Sequence, residues 1–215
     1  RIQSGRPRVV CGIDRKAGGT WFGVNQHGMF AAVANRPKRS APPEPRSRGL
    51  LCGELLGVRT AAEAVDLAAK ELETGRYDGA NYVCADSESG AVVYGGDSVS
   101  VVEMKPGLHL LTNGNLDDRS DPRQEFVRRL LTLQRLDSSV AFLAVASRTF
   151  SRKPDVTGKR GVVVTGNERG TVSSSLLSLT GRSQNAIYQY APGSPGDTPY
   201  EDLSALLRQV LSTDR

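Results

Sequence analysis

Two histidines and three cysteines are the side chains of this 215-residue chain best suited to move a proton, attack a carbonyl or hold a soft metal near neutral pH. Cys11, Cys52 and Cys84 are odd in number and far apart, which supports neither a disulfide framework nor a zinc site. They read as reduced thiols, Cys84 as a small core residue of a strand. His27 falls in a turn between Gln26 and Gly28 and reads as a solvent residue. His109 lies in an apolar run four residues before Asn113, so alternation puts both on one face, where His109 lines a site or donates to a carbonyl inside the sheet. The spacing gives no support to a Cys–His dyad. Asp117, Asp118 and Asp121 form an acidic cluster in which a divalent cation is conceivable, but loop solvation and helix capping account for it better. Gly95-Gly96-Asp97 is a turn and not a phosphate cradle, since it opens no helix. Trp21 is the only tryptophan; beside Gly18, Gly19 and Thr20 it suits either the wall of a ligand cleft or the core.

The elements that would position these residues follow from the pattern. Trp21–Asn25 and Met29–Asn35, joined by a glycine-containing turn, read as a β-hairpin. Arg36 to Gly49 holds five basic residues and four prolines and predicts a solvated loop. Helices are expected over 50–57 and from Thr60, where Thr60 and Glu63 have capping-box spacing and Gly75 is a stop. Segments 80–86, 91–94, 99–104 and 108–112 read as four strands of a meander. Asp121-Pro122 starts a helix, and a shorter one follows around 140–145. Segments 161–165 and 172–179 are a hairpin candidate, with a strand near 186–190 and a last helix over 200–211. Runs of strands followed by pairs of helices indicate an α+β fold, accommodated by two stacked antiparallel sheets with helices outside. The chain opens in a polar segment with no first structural element, so the expectation is that the true N-terminus lies upstream.

The 38% hydrophobic and 24% charged residues fit one globular domain over 1–215, and no stretch approaches the roughly 18 apolar residues of a membrane span. No secretory signal is visible, and a cytoplasmic protein is the simplest expectation. The net charge of +5 is spread along the chain, which argues against specific nucleic-acid binding.

Three segments together resemble the NRDE family, the family of transport and Golgi organization protein 2. Ala17-Gly18-Gly19-Thr20-Trp21-Phe22-Gly23-Val24-Asn25, continuing to Gly28 and Ala34-Asn35, resembles the family's AGGTW-x-G-V, glycine turn and strand ending in Asn. Gly107-Leu108-His109-Leu110-Leu111-Thr112-Asn113 is similar to its G-x-H-x-L-[ST]-N, and Gly170-Thr171-Val172-Ser173-Ser174-Ser175 is close to its G-T-R-S-S-T.

That resemblance implies an N-terminal-nucleophile-hydrolase-like four-layer αββα sandwich, here lacking its first strands, and an amide or acyl hydrolase whose N-terminal cysteine is absent from this chain. Its side chain would attack a carbonyl while the α-amino group serves as base. By the same resemblance Asn35 and Asn113 are the catalytic oxyanion and orienting donors, and Gly19, Thr20, Trp21 and His109 bind substrate. Asn35-Arg36 is followed by Pro37-Lys38 and so is not the family's Asn-Arg-Asp-Glu motif. Val172 stands where the family has Arg, with Arg169 as the only near substitute. The alternative is a non-catalytic carrier or Golgi organisation factor, since the family is linked to haem trafficking, acyl-CoA or lipid metabolism and Golgi organisation. No resident cofactor is implied; haem as a ligand would want an axial donor, for which His109 is the first choice. The basic loop 36–48 is a third possibility, as a protein-binding scaffold whose binding weakens with salt.

Overall fold

The computed structural model describes residues 2–3, 7–15, 18–155, 161–166 and 170–212. It is an α+β fold with two antiparallel sheets, and its contacts divide into two compact units, 1–116 with 209–215, and 117–208.

In the first unit seven strands follow one another in chain order, β1 (Ile2–Gln3), β2 (Val9–Cys11), β3 (Phe22–Asn25), β4 (Phe30–Asn35), β5 (Ala80–Ala85), β6 (Gly90–Gly95) and β7 (Val99–Glu103). Helices α1 (Arg48–Leu55) and α2 (Ala61–Glu73) enter between β4 and β5 and pack on one face. The expected capping box is present, with the Thr60 hydroxyl accepting from the Glu63 N–H and the Glu63 carboxylate accepting from the Thr60 N–H. Gly75 ends α2 with φ +71°, a conformation that glycine alone adopts without strain.

Register explains why the helix-covered face is built of small residues. Cys11, Gly23, Ala31, Cys84 and Ala91 form one row across β2 to β6. A Cβ on Gly23 would sit 2.5 Å from Leu56 Cδ1, so the missing side chain lets the end of α1 settle on the sheet. Leu51, Leu55, Met29 and Tyr82 fill the remaining space with Cys52 and Cys84. Each buried leucine contributes about 1.5–3 kcal/mol by leaving water. All three cysteines are free and buried. A disulfide reagent such as dithionitrobenzoate is therefore expected to find no reactive thiol in the folded chain and three after denaturation, and rapid labelling without denaturant would contradict this packing.

In the second unit, β8 (Ser174–Ser178), β9 (Ile187–Ala191) and β10 (Glu201–Asp202) form a sheet of order β10-β9-β8. Helix α3 (Pro122–Thr132) is capped by Asp121, which accepts from the N–H groups of Arg123 and Gln124, with proline in the first turn. Helix α4 (Ser139–Phe150), capped by Ser138, packs Leu143 and Ala146 on Leu176, and α5 (Ser204–Leu211) is the last helix.

Four expectations need correction. The N-terminal part is not free of structure: β2 pairs with both β1 and β3. Segment 108–112 forms no strand; the Thr112 carbonyl at its end is taken by the Asn81 side chain of β5 and not by a ladder. Segment 161–165 is not a strand either; Val162 and Val163 donate to the Arg152 carbonyl. The turn proposed to join it to 172–179 includes 167–169, outside the described residues, as is Arg169. Finally, the helix expected near 140–145 runs to Phe150, and the last begins at Ser204 and not at Tyr200.

Candidate functional site at one end of the first sheet

The start of β3, the end of β4 and the start of β5 lie together. Val33 donates to the Trp21 carbonyl at 3.0 Å, Asn35 pairs with Ala80, and the Arg36 N–H donates to the Gly79 carbonyl at 3.0 Å. Alternation along β4 puts the Asn35 side chain on the helix-covered side with Ala31 and Val33, and the Arg36 side chain on the other. There Arg36 meets Asn81 of β5 and Tyr94 of β6, which are paired in register.

Asn81 is completely buried in an otherwise apolar strand, and it is satisfied. Its Nδ2 donates to the carbonyls of Thr112 at 3.2 Å and Gly114 at 2.9 Å, and its Oδ1 accepts from Arg36 Nη1 at 3.2 Å. Only this orientation of the amide matches two carbonyls on one side and a guanidinium on the other. Arg36 adds bonds from Nη1 to the Gly114 carbonyl at 3.0 Å and from Nη2 to Asn115 Oδ1 at 2.8 Å, and its guanidinium stacks 4.5 Å from the Tyr94 ring centre. The Tyr94 hydroxyl accepts from the Leu116 N–H at 2.8 Å. Arg36, directly after β4, Asn81 of β5 and Tyr94 of β6 thus fasten the 112–116 loop across the sheet end.

Asn113 reaches back over that end, its Nδ2 donating to the main-chain carbonyl of Asn35 at 2.8 Å. The structure therefore brings together the Asn113 amide and the Asn35 backbone; among the described residues the Asn35 side chain makes no hydrogen bond, and both residues are exposed. Gly19 and Thr20 serve the frame. A Cβ on Gly19 would lie 2.2 Å from the Gly49 carbonyl carbon, and Thr20, which is buried, donates its N–H to the Gly49 carbonyl at 2.9 Å and its hydroxyl to the Phe22 carbonyl at 2.8 Å. Trp21 is not core: it is 41% exposed, with the Arg48 guanidinium 5.8 Å from its ring centre. His109 stands apart from this arrangement. Without a strand the alternation that aligned it with Asn113 lapses, and its Nε2 hydrogen-bonds the Lys105 carbonyl at 2.5 Å within its own loop.

The cysteines take no part. Burial pushes the Cys84 thiol up to about 12 and raises Cys52, with the neighbouring Cys84 and Cys11 adding to the latter. Cys11 is raised by burial, opposed by a hydrogen bond with Thr20. All three hold their protons at neutral pH. Among the described residues no group of three His, Cys, Asp or Glu side chains is placed to hold a metal ion, and the acidic cluster is used locally. Asp121 caps α3, Asp118 accepts from Ser120, and Asp117 pairs with Arg128 at 2.7 Å. No described helix is long and apolar enough to cross a membrane.

Residues 2–148 match the family model described as Transport and Golgi organisation 2, more than half of the chain. The chain belongs to that family. A curated relative, the Transport and Golgi organization 2 homolog of Mus musculus, is 29% identical over 118 residues, covering 51% of this chain and 42% of the mouse protein. The chain thus matches less than half the length of that relative. Within the Transport and Golgi organisation 2 match fall Gly19, Thr20, Trp21, Asn35, His109 and Asn113, whereas Gly170–Ser175 lies beyond it. There Val172 is 80% exposed and Ser174 hydrogen-bonds Tyr200.

Sequence reading missed Arg36, Asn81 and Tyr94. A signal existed for Asn81: an amide in the middle of Ala80-Asn81-Tyr82-Val83-Cys84 is a polar group that must find partners once buried.

Proposed function

We propose that the chain contributes the positioning side of an amide- or acyl-cleaving site of N-terminal-nucleophile type, with a nucleophile other than its three buried cysteines. The observation that carries this reading is the Asn113 to Asn35 bond, which joins residues 78 positions apart at an exposed sheet end. Asn113 fixes the loop and retains a second N–H, while the Asn35 amide, on the helix side with Trp21, supplies further donors. Such groups stabilise the oxyanion formed when a carbonyl is attacked. The apolar face of Trp21 gives an acyl group a surface to lie on.

The test is hydrolysis of short-chain p-nitrophenyl esters and p-nitroanilides by the protein at its natural length. Turnover above background is expected, with Asn113→Ala lowering kcat about 100-fold at unchanged fold. Absence of turnover, or a folded Asn113→Ala protein with full kcat, would refute the hydrolase reading. Saturable Soret changes on haem titration without turnover would point to a carrier instead.

A further inference from the structure

We propose that Arg36 is an anion-recognition residue, so that the ligand of this sheet end carries a carboxylate or phosphate group bound by the Nε and Nη2 edge of the guanidinium. The proposal rests on the functional reading above only in treating the sheet end as the ligand site; it requires no turnover.

Arg36 is half-buried and permanently charged, yet among the described residues it forms no ion pair. Its protein partners, the Asn81 and Asn115 amides, the Gly114 carbonyl and the Tyr94 ring, are all neutral. Arg46 and Arg128 differ. Arg46 meets Glu54 and Glu71 at 2.5 and 2.7 Å, and Arg128 meets Asp117 at 2.7 Å. The nearby carboxylate of Asp97 is taken by Arg39, through its main-chain N–H at 2.9 Å and its Nε at 3.3 Å. A partly desolvated cation held only by dipoles gains more from a ligand anion than one already paired.

Donor geometry says which part of the group is available. The two Nη1 protons go to Asn81 and Gly114, and Nη2 spends one on Asn115. The Nε–H and the second Nη2–H have no acceptor among the described residues. These two nitrogens share one edge of the guanidinium, the fork that receives two oxygens of a carboxylate or phosphate side by side. The Tyr94 ring, 4.5 Å from the guanidinium carbon, covers one side of that fork. Space beside it depends on Gly96, where a Cβ would lie 3.2 Å from Arg36 Nε. The Gly95-Gly96-Asp97 turn thus acts by leaving room beside the arginine and supplies no phosphate cradle of its own.

The experiment is an NMR titration of the arginine Nε–Hε signals of the full chain with inorganic phosphate and, separately, with acetate, at constant ionic strength set by chloride. A saturable shift of the Arg36 signal is expected, with the other arginines moving little. Phosphate saturating at lower concentration than acetate assigns a phosphate group, and the reverse a carboxylate. Arg36→Lys keeps the charge but loses the fork, and should bind about tenfold more weakly when followed through the Gly96 and Asn115 amide signals. Gly96→Ala keeps the charge, displaces the arginine by no more than a few tenths of an ångström, and should weaken binding by closing the approach to Nε. An Arg36 signal that fails to saturate, or that moves no more than exposed Arg39, overturns the proposal without any variant. So does Arg36→Lys binding as tightly as the parent. Because binding is read directly, anion binding without hydrolysis would sink only the catalytic reading, and hydrolysis without anion binding only this one.

Discussion

Gly79→Ala is expected to destabilise the chain by about 3 kcal/mol or more, lowering Tm by about 10 °C. The reason is space and not backbone conformation. A Cβ on Gly79 would lie 2.1 Å from the Arg36 carbonyl oxygen and 2.9 Å from its carbon, both backbone atoms at the end of β4. No rotamer relieves a clash with backbone, so β4 and β5 must part. The Gly79 carbonyl also accepts from the Arg36 N–H and from Arg48 Nη1, each at 3.0 Å, and moving it weakens both. Since Arg36 then leaves Asn81 and Gly114, the 112–116 loop should loosen with the sheet end, visible as faster amide exchange at Gly114 and Leu116. Gly53→Ala is the control. It lies within α1 with nothing inside 4 Å of the added Cβ, and should be neutral or stabilising by about 0.5–1 kcal/mol. Equal melting temperatures for Gly79→Ala and the parent would show that the ends of β4 and β5 do not approach this closely.

The contrast between what was readable in the sequence and what was not follows from where hydrogen bonds go. Elements whose bonds are local were legible: the Thr60–Glu63 box, the Asp121-Pro122 start, the Gly75 stop and the 22–35 hairpin each carry their own signal within a few residues. Leu108-His109-Leu110-Leu111 looked like a strand because apolar content was all that could be weighed, yet its neighbours Thr112 and Gly114 are claimed by Asn81, more than thirty residues away. Val9-Val10-Cys11 is a strand of three residues beside Arg-Pro-Arg, too short for periodicity to register. The site shows the same division. Motif resemblance points to Asn35 and Asn113, but the guanidinium and buried amide that hold the Asn113 loop are single residues of unremarkable type, and only three-dimensional pairing marks them. Gly19 and Thr20 carry in addition a contact with Gly49 that their place in the motif did not announce.

Alkaline pH should expose the thiol-rich core. Folded Cys84 ionises only at about 12, while an unfolded thiol does so at its ordinary value of 9.0. Between these values the folded chain keeps a proton that the unfolded chain has released, so unfolding is favoured as pH rises. The stability Cys84 contributes is complete well below pH 9 and should fall by about 2 kcal/mol between pH 9 and 11 from this group alone. Cys52 and Tyr82 act in the same direction, each raised chiefly by burial. Tyr82 also donates its hydroxyl to the Arg48 carbonyl at 2.9 Å, a bond that ionisation would turn into repulsion at the start of α1. Urea midpoints should therefore be flat in pH up to about 9 and drop steeply above it. Cys84→Ala should cost about 1 kcal/mol at pH 7 and reduce the alkaline slope by about 1.4 kcal/mol per pH unit, leaving the part due to Cys52 and Tyr82. If the parent keeps its midpoint to pH 11, or if Cys84→Ala leaves the slope unchanged, the three thiols are better hydrated than their place between the sheet and α1 allows. A slope reduced but not abolished in Cys84→Ala, with one alkaline-reactive thiol fewer than the parent, would tie this share of the alkaline limit to the row of small residues under α1.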